Sequence, residues 1–193
     1  MVSGRKDKIS IGWKIFKCFT NPDKLFSSIK NESMTDTFVY YSIMAFVFLV
    51  MNSLIFFLSG SFLILDVISF FGPFAEFSFA LIFMVLFLLL LFFNIALAAV
   101  YHVFVKLFGG KSNFNATFKA ISYGFTPAAL LGWIPFLGFL ISIHYFYLNV
   151  KGIAILHKIS AHRAFLALLL PVIIILVLLS VFLAAFFWQI VSL

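Results

Sequence analysis

The chain has 193 residues, of which 65% are apolar, 20% aromatic and only 10% charged. A soluble domain is roughly 45–50% apolar and about 25% charged, so this composition, with a mean hydropathy of +1.22, leaves a polytopic membrane protein as the class that fits. The formal net charge of +7 does not point to nucleic acid, because the Lys and Arg sit in short segments beside apolar runs, the pattern that orients membrane helices.

A single cysteine, Cys18, excludes an internal disulfide and a cysteine-based metal cluster. Residues 1–30 are too polar, and the first apolar run too long, for a cleavable signal peptide. Residues 1–8 read as a disordered basic tip. From Ile9 to Phe19, the residues Ile9, Trp13 and Phe16 share a helical face with Lys8, Lys14 and Lys17 alongside. Such a helix suits the headgroup layer; it equally suits packing on the cytoplasmic side of a bundle. Asn21-Pro22-Asp23 reads as N-cap, N1 proline and first-turn acid of a second short helix, with Leu25, Phe26 and Ile29 as its apolar face. Lys14, Lys17, Lys24 and Lys30 then form a basic surface beside the membrane. Each such Lys contributes about 1 kcal/mol near an anionic leaflet, unless the four serve only to set topology.

Ser33-Met34-Thr35-Asp36 resembles a capping box ahead of a first span over 38–58, long enough for a hydrocarbon core of roughly 30 Å. Ser59-Gly60-Ser61 closes it, and the connection through Asp66, Gly72-Pro73 and Glu76 holds no Lys or Arg. The second apolar run, 77–108, ends at Gly109-Gly110, a C-cap signal. At ~1.5 Å per residue it is longer than a bilayer needs and must tilt or project. A third span, 116–133, carries Ala116, Ala120, Gly124, Ala128 and Gly132 at a strict spacing of four, a stripe of small residues that lets two membrane helices approach closely. Gly132 to Phe136 is a tight apolar turn, and a fourth span returns over 136–150. Spans three and four are short, so a re-entrant or tilted hairpin is an alternative. A fifth span covers 164–190, with Pro171 expected to kink it.

Charge orients these spans. Seven basic residues precede span one; Lys106, Lys111 and Lys119 cluster where spans two and three adjoin, in loop two-three and the span ends beside it, and Lys151, Lys158 and Arg163 lie between four and five. All thirteen fall on one side of a five-span arrangement, which places the N-terminus in the cytoplasm and the C-terminus outside.

No Asp, Glu, Lys or Arg occupies the middle of a span, where proton-coupled transporters and pumps usually keep one. Neither HExxH nor GxSxG occurs, so the common zinc and serine hydrolase signatures are missing. An enzyme is not expected, and no catalytic residue, metal or cofactor is assigned. Asn94 and His102, at i and i+8, share a face of the second span, and with His144 and Tyr145 they define a candidate polar intramembrane site for a lipid headgroup or small solute. The plainer reading is that they hydrogen-bond between helices for assembly, worth ~0.6 and at most ~2 kcal/mol each. His157 and His162 lie five apart without a nearby carboxylate, which argues against a metal. Asn31 and Asn115 begin glycosylation sequons but fall on the cytoplasmic side.

The stretches NPDKLFSSIKNE, KAISYGFTPAALLGWIPFLG and KGIAILHKISAHRAFLALLLP resemble the Yip domain family of Ypt/Rab-interacting membrane proteins over roughly residues 20–190. Tyr123-Gly124…Pro127 and His157…Ser160…Ala164…Pro171 are the most specific parts. The resemblance implies five helices and a cytoplasmic N-terminus. The eukaryotic branch acts in vesicle traffic and binds Rab-type GTPases through long N-termini. This chain has only about 35 residues before span one and lacks the Asp-Leu-Tyr-Gly-Pro motif of that branch, so Rab binding does not carry over. It is more similar to compact prokaryotic members.

The expectation is therefore an all-α polytopic membrane protein in a prokaryotic cell membrane. It has a basic segment with short interfacial helices over 1–35 and a five-helix membrane domain over 36–193. The leading function is a non-enzymatic, membrane-organising or trafficking-related scaffold that binds membrane proteins or lipids, with self-association an open option and no nucleic acid. The alternative is a small permease or lipid-translocating protein with a polar cavity between helices.

Overall fold

The computed structural model describes residues 9–58 and 75–191; the basic tip and the connection through Ser59-Gly60-Ser61, Asp66 and Gly72-Pro73 lie outside the described residues. Among the described residues all regular structure is helical: α1 (Ile11–Thr20), α2 (Pro22–Ile29), α3 (Met34–Leu58), α4 (Ala75–Leu107), α5 (Phe114–Gly124), α6 (Thr126–Leu131), α7 (Leu137–His157) and α8 (Ala161–Val191). Within α3, α4, α7 and α8, the stretches Met34–Ile55, Ala80–Leu107, Leu137–His157 and Ala161–Gln189 are long and apolar enough to cross a membrane.

Local signals set the element ends. The Asn21 side chain accepts the Lys24 N–H at 2.9 Å and starts α2. Ser33 Oγ accepts the Asp36 N–H at 3.0 Å and donates to its carboxylate at 2.7 Å, opening α3. Past α4, Gly109 takes a φ of 89°, and the N–H groups of Gly109 and Gly110 return to the carbonyls of Lys106 and Val105. That is the left-handed helix ending glycine allows.

The third apolar segment is not the single helix expected over 116–133. It is a broken pair, α5 and α6, with the joint at Phe125. Pro127 has no N–H to return to the Tyr123 carbonyl, and its ring crowds that group. The Tyr123 carbonyl instead accepts the Thr126 hydroxyl at 2.8 Å and the Cys18 thiol at 3.7 Å. The fourth segment is longer than expected: α7 has 21 residues and ends at His157 rather than near residue 150. That length suits a full crossing. Helix α8 continues through Pro171.

Helix α5 is the centre of the packing. Every residue from Ala116 to Gly124 is buried, against α3, α4 and α7. Helix α2 lays Leu25, Phe26 and Ile29 against α7, and α1 packs on α2 and α6. Helix α8 lies on α4 and α7, but beyond the buried Pro171 positions 172–189 are all exposed. The first half of α4 is similarly open, with Leu81, Met84, Leu88 and Leu89 exposed. One end of the bundle is closed and partly polar; the other is open and apolar, which hydrocarbon tolerates because lipid tails are as apolar as leucine.

The small-residue stripe needs correction. Ala116, Ala120 and Gly124 are buried on α5, but the joint at Phe125 takes Ala128 and Gly132 off that helix; both are half-buried. The three that remain meet α7 of the same chain, where a Cβ on Gly152 would come within 2.9 Å of the Ala120 Cβ and 2.8 Å of the Phe26 ring.

Candidate functional site at the basic end of the bundle

Helix α5 carries Thr117, Lys119, Ser122 and Tyr123 in a fully buried stretch. Each polar group must therefore find a partner in a neighbouring element, because an unmatched buried polar group is costly. The partners come from four directions. Ser122 Oγ accepts the Asn94 amide of α4 at 2.9 Å. Thr117 Oγ1 stands 2.7 Å from His102 Nδ1 of α4 and 2.9 Å from His157 Nε2 of α7. The Lys119 ammonium donates to the Lys30 carbonyl at 2.8 Å, at the C-terminal cap of α2 where carbonyls lack helical partners. Tyr123 donates to Glu32 and accepts from Lys14 at 3.0 Å.

Lys14 also forms an ion pair with Glu32 at 2.8 Å, and its ammonium lies 5.5 and 5.2 Å from the ring centroids of Tyr40 and Tyr123. This corrects the basic surface expected from the sequence. Lys14 is only 6% exposed and belongs to the interior. Lys14 and Cys18, four apart on α1, face inward, while Ile11, Phe16 and Phe19 face out. Lys17 is half-buried with its ammonium near the Trp13 and Phe16 rings; Lys24 and Lys30 are exposed. Glu32, the residue that turns α1 around, was not singled out in the sequence. Its only signal was a lone acid between basic helices and an apolar run.

The intramembrane candidates do not converge. Asn94 and His102 do share a face of α4, but eight residues put them about 12 Å apart, each with its own α5 partner. His144 lies elsewhere, its Nε2 3.3 Å from the Cys18 carbonyl and its ring stacked on Phe19. Tyr145 is half-buried on α7, one turn before the buried Asn149. Asn52 caps back on its own helix, to the Phe48 carbonyl. His157 is fully buried at the end of α7 while His162 is exposed on α8, so the two do not pair. Among the described residues no group of three or more His, Cys, Asp or Glu gathers. Burial pushes the Cys18 thiol up to about 11, opposite to the shift a reactive cysteine needs.

Beside this network lies a half-open cavity of about 440 Å³, between the end of α2, the N-terminus of α5 and the last turn of α7. It is walled by Ser27, Lys30 and Asn31 on one side and by Asn113, Asn115 and Lys119 on another. The three basic segments meet here: Lys151 reaches Asp23 at 3.2 Å, and the Lys111 N–H donates to the His157 carbonyl.

A model of one protein family, the Yip1 domain, matches residues 16–182. No curated protein and no solved structure matches the chain.

Proposed function

From the premise that the chain belongs to the Yip1 domain family and is an integral membrane protein, we propose that it is a non-enzymatic scaffold that organises other membrane proteins, in a prokaryotic cell membrane with its N-terminus in the cytoplasm. The observation that carries this reading is a division of labour. Asn94, His102 and His144 are taken up by separate neighbours within the fold, while the apolar halves of α4 and α8 away from the basic end are left uncovered. A permease would need those polar side chains around one passage. A scaffold needs lateral surface, and α8 offers exposed apolar side chains over 172–189.

The test is site-specific photocrosslinking in native membranes, from Leu176 and Leu88 on the uncovered halves and from the buried Ile121 as control. The expected result is the same membrane protein recovered repeatedly from both outer positions and not from Ile121. Recovery of lipid alone overturns the scaffold. Solute or lipid flux in proteoliposomes that falls on Asn94→Ala or His102→Ala would establish the permease in its place.

A further inference from the structure

The cavity at the basic end holds an imbalance of charge. Three ammonium groups line it, those of Lys30, Lys119 and Lys158, against one carboxylate, Glu32. That carboxylate is already engaged by Lys14 and the Tyr123 hydroxyl. Lys119 is only 3% exposed, and among the described residues no carboxylate lies within ion-pair distance of it. Its one hydrogen bond goes to a neutral carbonyl. Glu32 attracts Lys119 only from beyond ion-pair distance, so it lacks the close anion that ordinarily accompanies a buried lysine. Nothing in the packing requires a cation here, since α2 could be capped by any donor.

The remaining walls have the same preference. The cavity meets the start of α5, an eleven-residue helix whose N-cap, Asn113, makes no side-chain capping bond; the Ala116 N–H returns to the Asn113 carbonyl, and the Phe114 and Asn115 N–H groups precede the first helical bond beside the lysines. Asn113, Asn115 and Ser27 add neutral polar groups. Ile155 and Leu156 give the cavity an apolar side. Its volume, about 440 Å³, falls in the roughly 300–1,000 Å³ range of ligand pockets. Lys30 and Lys158 are exposed, at the ends of α2 and α7, where they can close on a ligand without being needed for the fold.

We propose that this cavity binds a phosphate-bearing anion, with Lys119 at its base and Lys30 and Lys158 at its mouth. The group can arrive on an anionic phospholipid headgroup or on a soluble phosphate compound; the chemistry recognised is the same. This goes beyond the scaffold reading and does not depend on it.

The experiment titrates the full-length protein in neutral detergent with short-chain phosphatidylglycerol, with short-chain phosphatidylcholine and with inorganic phosphate. Wild type is compared with a Lys30→Gln/Lys158→Gln double variant and with Lys17→Gln/Lys24→Gln, which removes the same charge outside the cavity. The expected result is saturable binding of phosphatidylglycerol or inorganic phosphate, weakened about thirtyfold by the first pair, from about 1 kcal/mol per lysine, and kept by the second. Binding of phosphatidylglycerol alone assigns a lipid headgroup; binding of inorganic phosphate, with or without the lipid, assigns a phosphate group free of the membrane. If neither binds saturably, or if both double variants weaken binding equally, the site is overturned and only diffuse attraction to the basic end remains.

Discussion

A Cβ on Gly152 would stand 2.8 Å from the Phe26 ring, and one on Gly124 would overlap Asn149 Oδ1. Both positions lie where α5 and α7 approach each other, so overpacking of about 1–3 kcal/mol is expected from a single added methyl. Gly152→Ala should lower the melting temperature in detergent more than Gly124→Ala, because an aromatic ring yields less readily than an amide tip. Leu178→Ala, at a position 64% exposed, should leave it unchanged. Equal melting temperatures for all three would refute the close approach. The Lys14–Glu32 pair makes a second residue-scale prediction. Lys14→Met or Glu32→Gln alone strands a buried partner and should cost about 3–5 kcal/mol, whereas the double change should cost much less than the sum. Additive losses in a double-mutant cycle would show the two side chains to be uncoupled.

At the scale of elements, the joint between α5 and α6 depends on more than Pro127. The Thr126 hydroxyl donates to the Tyr123 carbonyl and lies 2.8 Å from the Tyr40 hydroxyl, tying the break to α3. Thr126→Val keeps the shape and removes both contacts, leaving buried polar groups unmatched at a cost of about 1–3 kcal/mol. It should also loosen the seat of Cys18, whose thiol reaches the same carbonyl, so maleimide labelling of Cys18 should speed up. Unchanged stability and labelling would mean the proline alone makes the joint. Proline alone does not decide a break, since α8 continues through Pro171; that α5 stops at a buried joint, and that a cysteine and a threonine serve the freed carbonyl, could not be read from the sequence, because those partners come from residues 105 and 3 positions away.

For the whole molecule, the segments rich in Lys and Arg gather at one end, joined by Lys151–Asp23, Lys119–Lys30 and Lys111–His157. Surface pairs such as Lys151–Asp23 add little energy, so the gathering is a matter of topology. If that end faces the cytoplasm, an impermeant maleimide applied to intact cells should label Phe136→Cys, in the opposite turn, and not Lys111→Cys. Lys111→Cys should react once cells are opened. Native Cys18 should stay unreactive throughout, being fully buried with its thiol held protonated. The reverse pattern would invert the molecule.

The sequence by itself determined the class and where the apolar helical segments lie, though not the break in the third or the length of the fourth. What it determined follows from composition, run length and local capping groups, which act within a few residues: Asn21 on Lys24, Ser33 on Asp36, Gly109 on Lys106. The three basic segments that it marks do gather at one end of the bundle. Tertiary structure decided what each polar side chain is for. Lys14 reads as a membrane-facing cation until Glu32 and Tyr123 turn it inward, and Asn94, His102 and His144 read as one site until separate neighbours divide them. The cavity lysines come from three helices distant in the chain. A polar group within a bundle takes its meaning from whichever helix lies opposite, and helical periodicity specifies a face without naming the partner.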